Sequence, residues 1–115
     1  MDTFVMKTVL LLFVCLAAAD AWSRKQPPKF LSKPQDKVVR EHENVEFSCK
    51  ATGNPEPIVA WGKEKSYLPA GRYNILKNGN LLLKNAKSSD EGYYSCTAVN
   101  IHGFVEGRAK LVVVD

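Results

Sequence analysis

The chain has 115 residues, of which 45% are hydrophobic and 24% are charged, and it carries a net charge of +4 at pH 7. This length excludes a second domain of ordinary size. The excess of basic residues could attract an anionic partner.

Residues 1–21 have the pattern of a secretory signal peptide. Lys7 precedes the apolar run TVLLLFVCLAAA, and small residues follow around Asp20. A membrane-anchoring helix is the alternative, but the run is shorter than the roughly 20 apolar residues of a membrane span. Ala19 and Ala21 fit the small-residue rule for cleavage, which we place after Ala21, with Ala19 as the alternative site. We therefore predict a secreted, extracellular protein without a membrane span.

Removal of the signal peptide would change the number of cysteines from three to two. Cleavage of residues 1–21 from the 115-residue chain would leave 94 residues, and so small a core is only marginally stable. Cys15 would leave with the signal peptide, so Cys49 and Cys96 would remain as a pair. In a secreted chain such a pair predicts a disulfide.

The beginning of the mature chain is strongly basic. Cleavage would remove Lys7, Asp2 and Asp20, which leaves 15 basic and 10 acidic residues. An exported protein has no routine access to nucleic acid, so sulfated polysaccharide is the favoured anion and a solvated tail is the alternative. We predict a basic arm at 22–27 and a domain at 28–115. Six basic residues are expected to precede the fold proper and to form a candidate polyanion site: Arg24, Lys25, Lys29, Lys33, Lys37 and Arg40.

No helical period is sustained in the mature chain. Short alternating runs separated by turn residues are instead typical of a sandwich or barrel. Prolines in GNPEP break the first run, Asn78-Gly79 indicates a hairpin, and Ser88 and Glu91 have the spacing of a capping box around one helical turn. The predicted strands are 44–51, 58–63, 72–76, 80–85, 92–100 and 108–115.

Alternation within these runs indicates which side chains face a core between two sheets. Cys49 and Cys96 fall mid-strand on inward faces, so their bond would tie sheet to sheet. Trp61 follows Cys49 by twelve residues and could pack against that bond. In DEGYYSC, Tyr94 would point its ring into the core and its hydroxyl to a nearby backbone group. That segment has a structural interpretation as well as a catalytic one.

Two segments carry a resemblance to a known family. CKATGNPEPIVAW and DEGYYSCTAVNIHG resemble the intermediate set (I-set) of the immunoglobulin superfamily, and the likeness covers about residues 28 to 115. The domains of peroxidasin-like matrix proteins and axon-guidance receptors are similar. The resemblance implies an all-β, two-sheet Greek-key immunoglobulin-like sandwich with one inter-sheet disulfide. It also implies a role in protein recognition, in adhesion, guidance or matrix organisation.

The resemblance further implies an ion pair between Arg72 and Asp90, which makes Asp90 structural. Arg72 matches the family arginine that reaches the acid of the D-x-G-x-Y-x-C pattern. His42 departs from the family, which usually has glycine at this turn, and histidine adopts the left-handed conformation less readily. We therefore expect an unusual turn at His42 within an otherwise ordinary fold.

The residues give little support to catalysis, a metal or a cofactor. The mature chain has two histidines, His42 and His102, each in a predicted turn, and no metal-binding, phosphate-binding or nucleophile motif. Asp90 and Glu91 are adjacent, so on a strand they would face opposite ways. We predict that the chain is not an enzyme and that it binds no metal.

Recognition should then use the surface, and the partner is expected to be an extracellular or cell-surface protein, with a second copy of the chain as one option. Outward positions on the sheet of runs 58–63, 92–100 and 108–115 are unusually apolar. Cover by neighbouring side chains, or pairing with the first strand, is the alternative. Two further apolar residues, Ile101 and Phe104, fall in the turn segment NIHGFVEG. Phe104 could instead cap the core. The candidate protein-binding residues are Tyr93, Val99, Val112, Val114, Ile101 and Phe104.

The chain ends at Asp115, where the last strand should finish. It is either a one-domain secreted protein or the first domain of a longer one. Its own signal peptide favours the first option.

Overall fold

The computed structural model describes residues 24–115, so the predicted signal peptide and its cleavage site lie outside the described residues. Within 24–115, no helix is long and apolar enough to cross a membrane. The elements in chain order are β1 (Gln26–Ser32), β2 (Lys37–Arg40), β3 (Val45–Phe47), β4 (Lys50–Asn54), β5 (Ile58–Lys63), β6 (Tyr73–Ile75), β7 (Leu81–Leu83), a 3-10 helix (Ser88–Asp90), β8 (Gly92–Asn100) and β9 (Gly103–Val114).

The strands form two packed layers. One layer is a four-stranded sheet with the order β2-β9-β8-β5, in which β2 is parallel to β9 and the other neighbours are antiparallel. The other layer contains the sheet β3-β7-β6 and the pair β1-β4, since β4 follows β3 after only two residues. This arrangement confirms the predicted all-β sandwich.

Alternate side chains of the two layers fill the core between them, as the strand period of two requires. The rings of Phe47 and Tyr94 are fully buried with centroids 5.5 Å apart, and Trp61 lies at the margin, 6.3 Å from Phe47. The other members of the core are Val45, Leu81, Leu83, Ala86, Ala109, Leu111 and Val113.

The predicted disulfide between Cys49 and Cys96 is confirmed. Both residues are buried, and their Cα atoms are 6.4 Å apart, within the range that a disulfide spans. Trp61 is the cross-strand partner of Cys96, and its indole N–H donates to the Gly79 carbonyl at 2.8 Å. The bond therefore joins the two layers beside the aromatic part of the core.

The predicted strand 44–51 is wrong in its course, because the structure divides it into β3 and β4. Ser48 and Cys49 lie between the two strands, so Cys49 is not mid-strand as expected. The Cys49 N–H donates to the Asn80 side chain at 3.2 Å instead of to a neighbouring strand. β4 then continues to Asn54, past the predicted end, because it pairs with β1.

Two turns adopt the left-handed backbone conformation. In the predicted Asn78-Gly79 hairpin, which joins β6 to β7, Gly79 has a φ of +89° and donates its N–H to Leu76 at 2.9 Å. His42 has a φ of +73° at the turn where the family resemblance expects glycine. Its N–H donates to the Ala86 carbonyl at 2.8 Å, and its ring Nδ1 lies 3.0 Å from Asn85 Oδ1. These contacts hold histidine in a conformation that glycine would reach more easily.

The helical turn is present, but the predicted capping box of Ser88 and Glu91 is wrong. The Lys87 N–H donates to Asp90 Oδ2 at 2.8 Å, so Asp90 supplies the carboxylate that Glu91 was expected to supply. Glu91 instead accepts a hydrogen bond from the Val113 N–H at 2.8 Å. Its side chain therefore connects the turn to the last strand.

Loss of the disulfide should lower the free energy of unfolding substantially. Closing a loop with a sequence separation of 47 restricts the unfolded chain, and chain-entropy arithmetic gives about 4 kcal/mol of unfolding free energy. We expect urea denaturation of the double variant Cys49→Ala/Cys96→Ala to show a loss of this order. A midpoint equal to that of the oxidised wild type would contradict the stabilising role of the bond.

Candidate recognition surface

The DEGYYSC segment forms a buried polar cluster centred on Asp90. Arg72 makes two parallel hydrogen bonds to it, from Nη1 to Oδ2 at 2.8 Å and from Nη2 to Oδ1 at 2.7 Å. The Tyr94 hydroxyl donates to the Asp90 backbone carbonyl at 2.6 Å. The structure thus places together three of the residues that the sequence assigned to the structural core.

These contacts shift the pKa values of Asp90 and Tyr94. Burial by itself raises the pKa of the Asp90 carboxyl, but hydrogen bonds from Arg72 and Lys87 and the charges of Arg72 and Lys63 together hold that pKa below its ordinary value. Burial also raises the pKa of the Tyr94 hydroxyl, and the charge of Asp90 raises it further. Asp90 is therefore ionised and Tyr94 protonated at neutral pH.

This cluster favours the structural over the catalytic interpretation. Both carboxylate oxygens of Asp90 already accept hydrogen bonds from the protein. In the described part of the chain, no three His, Cys, Asp or Glu side chains are placed to hold a metal ion. His102 is held in a tight turn, where its N–H donates to Asn100 Oδ1 at 2.8 Å.

The outward face of the four-stranded sheet carries a contiguous apolar group at the end nearest the β8–β9 turn. Ile58 on β5 is paired with Val99 on β8, and Val99 is paired with Phe104 on β9. Residues directly opposite on neighbouring strands project from the same face. Ile58 is 73% exposed, Phe104 68% and Val99 43%, and Ile101 in the adjoining turn is 83% exposed. These four residues are called the apolar row.

The structure corrects the prediction for Phe104 and adds Ile58. The turn after β8 contains only Ile101 and His102, so Phe104 lies on β9 rather than in the turn, and its exposure shows that it does not cap the core. Ile58 was not among the predicted residues. Since Trp61 was expected to pack inward against the disulfide, the strand period of two already required Ile58, three residues earlier, to face outward.

The other predicted apolar residues lie at the opposite end of the same sheet. Tyr93 precedes Val99 by six residues on β8, about 20 Å along a strand. Val112 is half-buried beside Val38 of β2, and Val114 is paired with Arg40, so pairing with an early strand does occur here. The six candidate residues therefore do not form one patch.

Tyr93 is also partly covered by charge. The Arg108 guanidinium lies 4.2 Å from the centroid of the Tyr93 ring, and Arg108 pairs with Glu64, whose Oε2 accepts from Nη2 at 2.9 Å. An exposed apolar contact at Tyr93 would first have to displace this stacked cation.

The prediction that six basic residues precede the fold is wrong for four of them. Strand pairing begins at Gln26, because β1 is held against β4 from that residue onward. Lys29 lies within β1, Lys33 follows it directly, and Lys37 and Arg40 are the ends of β2 in the other layer. The candidate polyanion residues are thus divided between the two layers, and only Arg24 and Lys25 precede the first strand.

Comparisons with known proteins identify the module. A family model for the immunoglobulin I-set domain matches residues 28–113. The chain is 45% identical over 86 residues to human Roundabout homolog 2 and 42% identical over 87 residues to human peroxidasin homolog. Each match covers 75% of this chain but 6% of the relative, so the chain corresponds to one small part of much longer proteins.

The fold is shared with solved structures as well. A domain in the crystal structure of the complex between titin M10 and an obscurin-like 1 immunoglobulin domain superposes with a TM-score of 0.71 at 33% identity. The match covers 77% of this chain and 95% of that domain. Agreement over nearly the whole of the solved domain indicates that the described strands form a complete sandwich.

Loss of the Asp90 charge should destabilise the fold in a pH-dependent manner. Asp90→Asn leaves Arg72 without its anionic partner, and we expect a loss of about 2 kcal/mol at pH 7, below the range for fully buried pairs because the Arg72 side chain is 22% exposed. Because the folded-state pKa of Asp90 is depressed, its contribution is present above the unfolded-state value of about 4 and is lost as the pH falls through the folded-state value.

Urea denaturation at pH 7 and pH 3 checks this prediction. The difference between wild type and Asp90→Asn should shrink at pH 3. Glu64→Gln is the matched control, since it breaks the exposed pair with Arg108 and should change the unfolding free energy little. An equal loss in the two variants at pH 7 would contradict the central role of Asp90.

Proposed function

This chain belongs to the immunoglobulin I-set family, and we propose that it is a secreted protein-recognition module without catalytic activity. Its proposed biology is cell adhesion, guidance or interaction with the extracellular matrix. The observation that supports this function most directly is the apolar row on the outward face of the four-stranded sheet. The signal-peptide pattern of residues 1–21 supports the extracellular location.

The apolar row has the chemistry of the centre of a protein interface. Aromatic residues are enriched at protein interfaces, whose fully buried centre is more apolar than the rest of the surface. Phe104 supplies an aromatic anchor, and Ile58 and Val99 lie next to it in adjacent strands. Since the inward side of the sheet already fills the core, these side chains contribute nothing to the core and are available to a partner.

The neighbouring cross-strand row makes the surface accessible. Ala60, Thr97 and Glu106 are paired across the same three strands. Two of these side chains are small, so a partner can approach the sheet closely beside the apolar row. Glu106 and, one row further on, Arg108 would provide a polar rim, which is the usual surround of an apolar interface centre.

The relatives support recognition as the function without naming the partner. Roundabout homolog 2 and peroxidasin homolog each contain a domain that this chain matches. The titin and obscurin-like 1 domains were solved as a complex, which is an example of this fold binding another protein. By analogy with them, we propose an extracellular or cell-surface protein as the partner, with a second copy of the chain as the first one to test.

A second candidate function is that of a matrix-binding factor that acts through sulfated polysaccharide. It is favoured by the basic residues at the start of β1 and just before it, Arg24, Lys25 and Lys29, which lie on a surface separate from the apolar row. Salt distinguishes the two functions, since charge–charge contacts weaken as salt rises and apolar contacts do not.

Lysine substitutions in the apolar row should abolish recognition without unfolding the domain. We expect Val99→Lys and Phe104→Lys to prevent self-association in sedimentation equilibrium. We also expect them to prevent tetramerised protein from staining cells, in an assay where protease treatment of the cells removes the wild-type staining. Ile75→Lys is the matched control, because Ile75 is also exposed and aliphatic but lies on β6 in the other layer.

Each variant should keep a cooperative thermal transition, since none of these side chains is in the core. Association that persists at high salt in the wild type and in Ile75→Lys, but not in the row variants, supports the proposal. Binding by the row variants that equals the control in both assays would show that the apolar row is not the recognition surface.

A further inference from the structure

We propose that β1, the segment before it and β4 form a binding site for sulfated polysaccharide, which we call the cationic cleft. Arg24, Lys25, Lys29 and Thr52 line it, and Lys50 lies on β4 two residues before Thr52. The cleft is distinct from the apolar row. It gives the second candidate function its site, and it rests on that function and on the proposed extracellular location. Lys50 and Thr52 were not among the predicted polyanion residues and are included because β4 pairs with β1. Lys37 and Arg40 are excluded because β2 lies in the other layer.

The strand register places these residues together. Lys29 is the cross-strand partner of Thr52, and Lys50 is the partner of Ser32, which is next to Lys33. Lys29, Lys50 and Thr52 are all exposed. Lys25 precedes β1 and Lys29 lies within it, and the register of β1 against β4 is irregular between Gln26 and Lys29. A polyanion could therefore contact Lys29 together with Thr52 across the strand pair, and Lys25 just before it.

The basic segment is held against the domain and is not a free tail. The Asn54 side chain donates to the Arg24 carbonyl at 2.9 Å, and the Asn100 side chain donates to the Gln26 carbonyl at 2.8 Å. Gly53 permits this approach, since a Cβ there would lie 3.0 Å from the Asn100 side-chain nitrogen and 3.2 Å from the Gln26 carbonyl. A backbone that is fixed in this way loses less conformational freedom on binding than the backbone of a solvated tail.

The segment encloses a cleft of suitable size and charge. A cavity of about 520 Å³ lies between the segment and β4. Three cationic residues line it, no carboxylate does, and the hydroxyl-bearing Thr52 offers a hydrogen-bonding group to a sugar. Its lining consists of Arg24, Lys25, Gln26, Pro27, Lys29, Thr52 and Gly53.

None of these cations is neutralised within the described residues. The two ion pairs of residues 24–115 are Arg72 with Asp90 and Arg108 with Glu64, and both lie outside the cleft. Lys33 does not contribute to the cleft, because its Nζ lies 5.9 Å from the centroid of the Phe30 ring, and Phe30 projects from the face of β1 opposite Lys29. The combined charge therefore favours a ligand with several closely spaced anions.

Sulfated polysaccharide fits this chemistry better than an acidic polypeptide. It carries several closely spaced sulfates for the cations of the cleft, and its hydroxyls match the polar lining. An acidic protein partner would be expected to add apolar anchors, and the residues that line the cavity include neither an aromatic nor a large aliphatic side chain.

Heparin provides the probe, and paired charge-neutral variants provide the test. Lys25→Gln/Lys29→Gln removes two charges from the cleft, whereas Lys37→Gln/Arg40→Gln removes two exposed charges from β2 in the other layer. At about 0.15 M NaCl we expect the cleft variant to bind heparin about tenfold more weakly and the control to change less than about threefold. Thermal melts of both variants should match the wild type, since all four side chains are exposed.

Competition defines the ligand. Soluble heparin should displace the protein from immobilised heparin, whereas de-sulfated heparin and polyglutamate should do so poorly. Equal weakening in the two double variants would show a net-charge effect and overturn the proposed site. Efficient competition by polyglutamate would overturn the assignment to polysaccharide, and absence of heparin binding by the wild type would overturn both. Neither double variant changes the apolar row, so these outcomes are separate from those of the protein-recognition test.

Discussion

The paired hydrogen bonds between Arg72 and Asp90 fix the geometry on which the apolar row depends. Arg72 immediately precedes β6, and Asp90 ends the 3-10 helix before β8, so the pair connects the edge of one layer to a central strand of the other. The Tyr94 hydroxyl then binds the Asp90 carbonyl, which holds Tyr94 inward. Because a strand alternates faces, holding Tyr94 inward also directs Val99, five residues later, outward. A buried polar contact thus places an exposed apolar side chain.

Much of the fold could be predicted because its signals are local or have characteristic spacing. Alternation within each run indicated the inward residues, and the separation of Cys49, Trp61 and Cys96 indicated the disulfide and its neighbouring indole. The predictions that were wrong depend on partners that are distant in sequence. Cys49 lies outside the strands, and its N–H donates to the Asn80 side chain. Glu91 does not cap the 3-10 helix, because its carboxylate accepts a hydrogen bond from the Val113 N–H. No local pattern contains those contacts.

The candidate surfaces show the same division between local and distant information. Sequence alone indicated that apolar and basic residues were in excess, but it could not group them, since neighbours on a sheet are set by the register between strands. Register brings Ile58 beside Val99, and it brings Lys50 into the region of Ser32 and Lys33. β2 pairs with β9 in the four-stranded sheet. Lys37 therefore lies apart from the basic residues of β1, and Val112 is half-buried beside Val38 and lies apart from the apolar row.

Asn100 lies where the two proposed surfaces meet. Its side-chain nitrogen donates to the carbonyls of Gln26 and Pro55, which holds the basic segment, and its Oδ1 accepts from His102, which shapes the turn that carries Ile101. The surfaces are close enough to share this support, yet they differ in chemistry, so a polyanion on one need not displace a protein from the other. A chain retained by polysaccharide would be concentrated near cell-surface proteins, and a raised effective concentration would allow a modest apolar contact to act as a specific one.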